Sequence, residues 1–154
     1  MQIGINLASE SVRQAGPREA LCVDQDTPLR KVLELMRDQA RGAVLVCRDA
    51  KLVGIFTERD ALRRLAHCED LGIPIERYMS PKPATIRSSD TVGTAVRKMS
   101  TSGFRRLPIV DDAGRPLGLL DVSGIVHWLV QHFPEAVYNL PPVSKHVTQE
   151  REGP

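Results

Sequence analysis

The chain has 154 residues, 42% of them hydrophobic and 26% charged, with a net charge of +2. That size and composition describe one compact globular domain or two very small ones, and they exclude a disordered chain. The charge balance is too even to signal nucleic-acid binding, no apolar run approaches the roughly 18 residues of a membrane span, and no basic start followed by an apolar stretch reads as a signal peptide.

Residues 1–16 form a lead-in, after which "DQDTPLRKVLELMRDQA" (residues 24–40) predicts the first helix. Thr27 is the expected N-cap and Pro28 the first helical residue, with Leu29, Val32, Leu33 and Met36 at helical spacing. "AVLVC" (43–47) is a short β-branched run expected as a buried strand, "RDAK" a turn, and "LVGIF" (52–56) a second strand. "TERDALRRLA" (57–66) opens on another capping residue, Thr57, and continues as a helix. Its basic pair is read as a solvated helix face. Three prolines in "LGIPIERYMSPKPATI" (71–86) argue for an extended linker.

The same order then recurs. "DTVGTAVRKMS" (90–100) predicts a helix, "RLPIV" and "PLGLL" two strands about the turn "DDAGR", and "DVSGIVHWLVQH" (121–132) a last helix. Trp128 in that helix reads as core or dimer surface. The proline-rich tail, residues 133–154, is expected to pack at its start and to be disordered at its polar end. Gly54 and Gly118 stand 64 residues apart, and the same offset aligns Asp26-Thr27 with Asp90-Thr91, Val32 with Val96, Arg41 with Arg105, and Val46 with Val110, without a gap. The expected fold is therefore α/β: two tandem helix–strand–strand–helix repeats, residues 17–70 and 71–132, whose two small sheets pack together.

Cys22 and Cys47, in apolar strand-like runs, are expected to be buried small apolar side chains, and three cysteines without a close pair suit a reducing cytoplasm. Neither His67 with Cys68 nor His127 with His132 has the spacing of a zinc site, so no metal is expected. No nucleophile–base arrangement and no Walker-type loop is present, so no enzymatic activity is expected.

The phrase "GIFTERD" (54–60) carries the functional signal. Gly54 permits close backbone approach at a strand. Thr57 stands at a helix start, where free N–H groups favour an anion. Asp60, three residues on, shares its helical face, and its carboxylate can accept both hydroxyls of a ribose. The same pair equally fits a plain helix cap with an acidic first turn. With its order, spacing and "GIFTERD", the unit resembles a cystathionine-β-synthase (CBS) domain. Two in tandem resemble a Bateman module, over about residues 17–132.

The resemblance implies a regulatory fold without chemistry of its own, binding AMP, ADP, ATP, NAD or a similar adenosine compound in clefts between paired sheets. It implies pseudo-twofold symmetry and association as a homodimer. It also implies that the cleft holding Ile55, Thr57 and Asp60 is completed by the second repeat. Ser80, Lys82, Ala84 and Thr85 would border the ligand there, and Phe104, Arg105 and Leu107 would flank base and phosphate. Arg106 stands one step away and is a second candidate for phosphate, while Lys82 reads equally as a surface lysine. In the second repeat Asp121 stands in place of Thr57 and Gly124 in place of Asp60. A carboxylate there repels phosphate and a glycine cannot hold a ribose, so the second cleft is expected to bind weakly or not at all. The resulting reading is a sensor signalling nucleotide or energy state to a regulated protein, the alternative being a structural dimerisation module without a physiological ligand.

Overall fold

The computed structural model describes residues 9–67 and 70–132. The tail, the first half of the lead-in and Cys68 lie outside the described residues. In the first repeat, β1 (Cys22–Asp24), α1 (Leu29–Asp38), β2 (Ala43–Arg48), β3 (Lys51–Thr57) and α2 (Glu58–Ala66) follow in order. The linker contributes a 3-10 turn (Ile75–Arg77) and β4 (Ser80–Pro81), departing from a wholly extended chain. The second repeat supplies β5 (Ile86–Arg87), α3 (Val92–Ser102), β6 (Arg106–Val110), β7 (Pro116–Asp121) and α4 (Val122–His132). The helices α2 and α4 begin at Glu58 and Val122, which preserves the 64-residue offset of the sequence.

One sheet has the order β1-β2-β3-β4 and the other β5-β6-β7. In each, a parallel pair leads into an antiparallel hairpin: β1 runs parallel to β2 and β2 antiparallel to β3, as β5 does with β6 and β6 with β7. Ala43, Leu45 and Leu119 are buried together with Ala20, Leu52 and Ile55 against them, which joins the two sheets. Burying a leucine such as Leu45 contributes about 1.5–3 kcal/mol, so this seam resists separation of the repeats.

The connecting segments cross between the repeats. Ile75 and Tyr78 of the linker complete the core of the first repeat, beside Leu29, Val32, Val44 and Phe56. Val12 and Ala15 of the lead-in complete the core of the second, beside Ile86, Leu107, Ile125 and Trp128. Each repeat is thus sealed by the segment that precedes the other. This exchange explains why Thr27 is not the cap of α1. The helix starts at Leu29, with extended Pro28 in the cap position and no side-chain cap. Its first amides donate instead to linker carbonyls, Leu29 N to Ile73 O at 2.9 Å and Arg30 N to Leu71 O at 2.8 Å. In α3 the side chain of Thr91 does cap, accepting from Thr94 N at 3.1 Å.

The cysteine expectation is corrected. Cys22 is exposed and Cys47 half-buried. In the three-residue strand β1, alternation turns Val23 inward and Cys22 outward. Partial burial pushes both thiols up, Cys47 to about 11.

Candidate functional site

The junction of β3 and α2 is built by Thr57, the last residue of the strand and the N-cap of the helix. Thr57 N donates to Asp60 Oδ2 at 2.9 Å, Thr57 Oγ1 donates to the same oxygen at 3.1 Å, and Asp60 N returns a weak bond to Thr57 Oγ1 at 3.5 Å. The cap is therefore real. It uses only Oδ2 of the carboxylate, and Oδ1 accepts no hydrogen bond among the described residues. Both side chains are half-buried on the wall of a cleft of about 1320 Å³.

That cleft lies between the repeats. Ile55, Thr57, Asp60, Ser80, Lys82, Ala84, Phe104, Arg105 and Arg106 line it, which brings together nine of the eleven residues named from the sequence. The other two stand apart. Leu107 is fully buried in the second repeat's core, because alternation along β6 turns it inward. Thr85 is half-buried, and its carbonyl accepts from Lys98 Nζ at 2.7 Å. Of the two arginines, Arg106 turns toward Gly42, where a Cβ would meet its Nη2 at 2.9 Å and Glu58 Oε1 at 3.1 Å. Arg105 is exposed.

Sequence reasoning missed Glu58, Arg59 and Arg63, which also line the cleft. Arg63 belongs to the basic pair read as solvation. Its position three residues after Asp60, on the same helical face, is the signal that could have found it. Its neighbour Arg64 instead stacks over the Tyr78 ring, 4.8 Å from the centroid.

Gly54 is needed for close approach, though by a side chain. It pairs with Pro81 of β4, and a Cβ on it would lie 2.2 Å from Met79 Sδ. At the matching Gly118 a Cβ would lie 3.1 Å from the carbonyl oxygen of Arg18.

The second junction differs in chemistry. Asp121 Oδ1 accepts from Gly124 N at 2.6 Å, so this carboxylate caps α4. Its Oδ2 lies 3.6 Å from Arg18 Nε. The carboxylate expected to repel phosphate is therefore partly neutralised from within the chain. Asp121, Val122 and Ser123 also line the same cleft as Thr57 and Asp60, so the two junctions open on one continuous space.

The CBS domain family model matches residues 12–67 and again residues 75–131, most of the chain. This chain belongs to the CBS domain family. The CBS pair is 34% identical over 104 residues to an uncharacterised protein, MJ1404, of Methanocaldococcus jannaschii, covering 66% of this chain and 25% of that protein. It is 25% identical over 120 residues to an uncharacterised 17.7 kDa protein of Acidianus ambivalens, covering 77% of this chain and 73% of that one. The CBS pair thus spans only a quarter of the first relative's length and about three quarters of the second's. Among solved structures, that of CBSX2 in complex with AMP superposes with a TM-score of 0.68 at 27% identity, over 80% of this chain and 98% of that one. No helix among the described residues is long and apolar enough to cross a membrane, and those residues hold no group of metal-ligating side chains.

Proposed function

We propose that this CBS pair is a regulatory module that binds an adenosine nucleotide (AMP, ADP, ATP or NAD) and passes nucleotide state to a regulated protein. The observation that carries the reading is the Thr57–Asp60 pair on the wall of a cation-rich cleft between the repeats. The free Oδ1 of Asp60 accepts ribose hydroxyls, the start of α2 offers amide hydrogens to an anion, and Arg105 or Arg106 meets phosphate. The likeness to CBSX2, solved with AMP, supports the same ligand class. One nucleotide per chain is the proposed stoichiometry, because Gly124 offers no carboxylate and Asp121 is occupied by its cap and by Arg18. The free thiols of Cys22 and Cys47 fit a reducing, cytoplasmic setting.

The test is a melting curve with and without nucleotide, followed by titration calorimetry. Ligand at a hundred times its Kd stabilises by about 2.7 kcal/mol. Unchanged melting with millimolar AMP, ADP, ATP and NAD overturns the reading. A structural dimerisation module is the second reading, favoured by an apolar groove of about 380 Å³ lined by Val96, Phe104, Val122 and Val126 on α3, α4 and the loop after α3. Those four side chains are 36–52% exposed. Self-association as a homodimer through this face is compatible with either reading, and ligand-dependent melting separates them.

A further inference from the structure

Five cationic side chains, Arg59, Arg63, Lys82, Arg105 and Arg106, share the cleft wall with three carboxylates, Glu58, Asp60 and Asp121. None of the five forms an ion pair among the described residues. Asp121, by contrast, is already met by Arg18. Ribose, which the proposed function sets on Asp60 and on which this inference rests, is neutral, so Glu58 and Asp60 together offset only two of the five positive charges. A single phosphate carries at most two negative charges and leaves part of that excess uncompensated. The cleft volume of about 1320 Å³ also exceeds the roughly 300–1000 Å³ of ordinary small-ligand pockets, so a longer ligand has room.

We infer that the site selects its adenosine ligand by charge: each added phosphate strengthens binding, and a sulfonium compound such as S-adenosylmethionine is rejected. Each phosphate brings oxygens that accept charge-assisted hydrogen bonds from arginine forks and the lysine ammonium. A sulfonium placed in the same region meets like charge. Because four of the five cations, Arg106 being the half-buried exception, are exposed, the discrimination weakens as salt shortens the range of the field.

The experiment is titration calorimetry of the full chain, without divalent metal, against adenosine, 5′-methylthioadenosine, AMP, ADP, ATP and S-adenosylmethionine at about 0.05 M and 0.5 M salt. The expected order is ATP, ADP, AMP, methylthioadenosine, then S-adenosylmethionine, with about a fivefold to tenfold step per phosphate at low salt. The double variant R59A/R63A should compress the ATP-to-AMP affinity ratio toward one, in a chain that melts like the parent. Equal affinity for AMP and ATP, or S-adenosylmethionine binding as tightly as AMP, overturns the charge rule alone. An ATP preference untouched by R59A/R63A overturns the part given to Arg59 and Arg63 in the charge rule. Failure of all six compounds and of NAD to bind overturns the nucleotide reading together with this inference.

Discussion

Replacing Asp60 by alanine separates the cap of α2 from the proposed ribose contact. Oδ2 closes the cap of α2 by accepting from Thr57 N and Oγ1 at 2.9 and 3.1 Å. Losing that cap costs about 1 kcal/mol of stability, since both donors are only half-buried and water can replace the oxygen. The proposed nucleotide binding loses more. Two charge-assisted bonds from ribose to the carboxylate are worth about 1.5–3 kcal/mol each before water is counted back. A net loss of about 2–3 kcal/mol raises Kd roughly 30- to 150-fold. Titration calorimetry with AMP and ATP measures the second effect, and urea unfolding of the same protein without ligand measures the first. Asp60→Asn sharpens the comparison: it keeps one carbonyl oxygen and the volume, so its binding loss should fall between wild type and Asp60→Ala. If Asp60→Ala loses about 1 kcal/mol of stability while nucleotide Kd stays within twofold, the residue is a helix cap and nothing more, and the ribose assignment is wrong.

Three other outcomes follow from the packing. Gly54→Ala places a Cβ 2.2 Å from Met79 Sδ, which must move, and should cost about 1–3 kcal/mol in urea unfolding; an unchanged midpoint would show that Met79 yields freely. Val96→Glu puts a charge on the exposed apolar face of α3 and α4 at a position outside the lining of the candidate cleft, and should shift the proposed homodimer toward monomer in light scattering at micromolar concentration. In a chain with Cys22 and Cys68 replaced by serine, thiolate absorbance should still place the titration of Cys47 above its ordinary value of 9.0, because burial disfavours the anion. Because the folded value is raised, Cys47 contributes stability in full below pH 9 and loses it as pH rises through about 11, so unfolding midpoints should decline across that window.

Much of the architecture was legible because it is written in short-range patterns. The 64-residue offset repeats without a gap, and the strand and helix periodicities recover four helices and the paired hairpins to within a few residues. Thr57 and Asp60 could be singled out for the same reason, since a cap and its partner three residues on are local. The cap of α1 was misplaced because the carbonyls that satisfy its amides come from Leu71 and Ile73, some forty residues downstream. The exposure of Cys22 was misread because an apolar composition does not say which side of a three-residue edge strand meets solvent.

The sequence by itself determined the repeat, the order of its elements and the one junction that keeps a hydroxyl and a carboxylate, all of which depend on residues within a few positions of one another. Only the tertiary structure decided that Val12 and Ala15 seal the second repeat while Ile75 and Tyr78 seal the first. It alone brought Arg18 within 3.6 Å of Asp121, across 103 positions, and placed Arg63 on the same cleft wall as Arg105. Such pairings join segments far apart in the chain through burial and charge, and neither leaves a periodic trace for a linear reading to find.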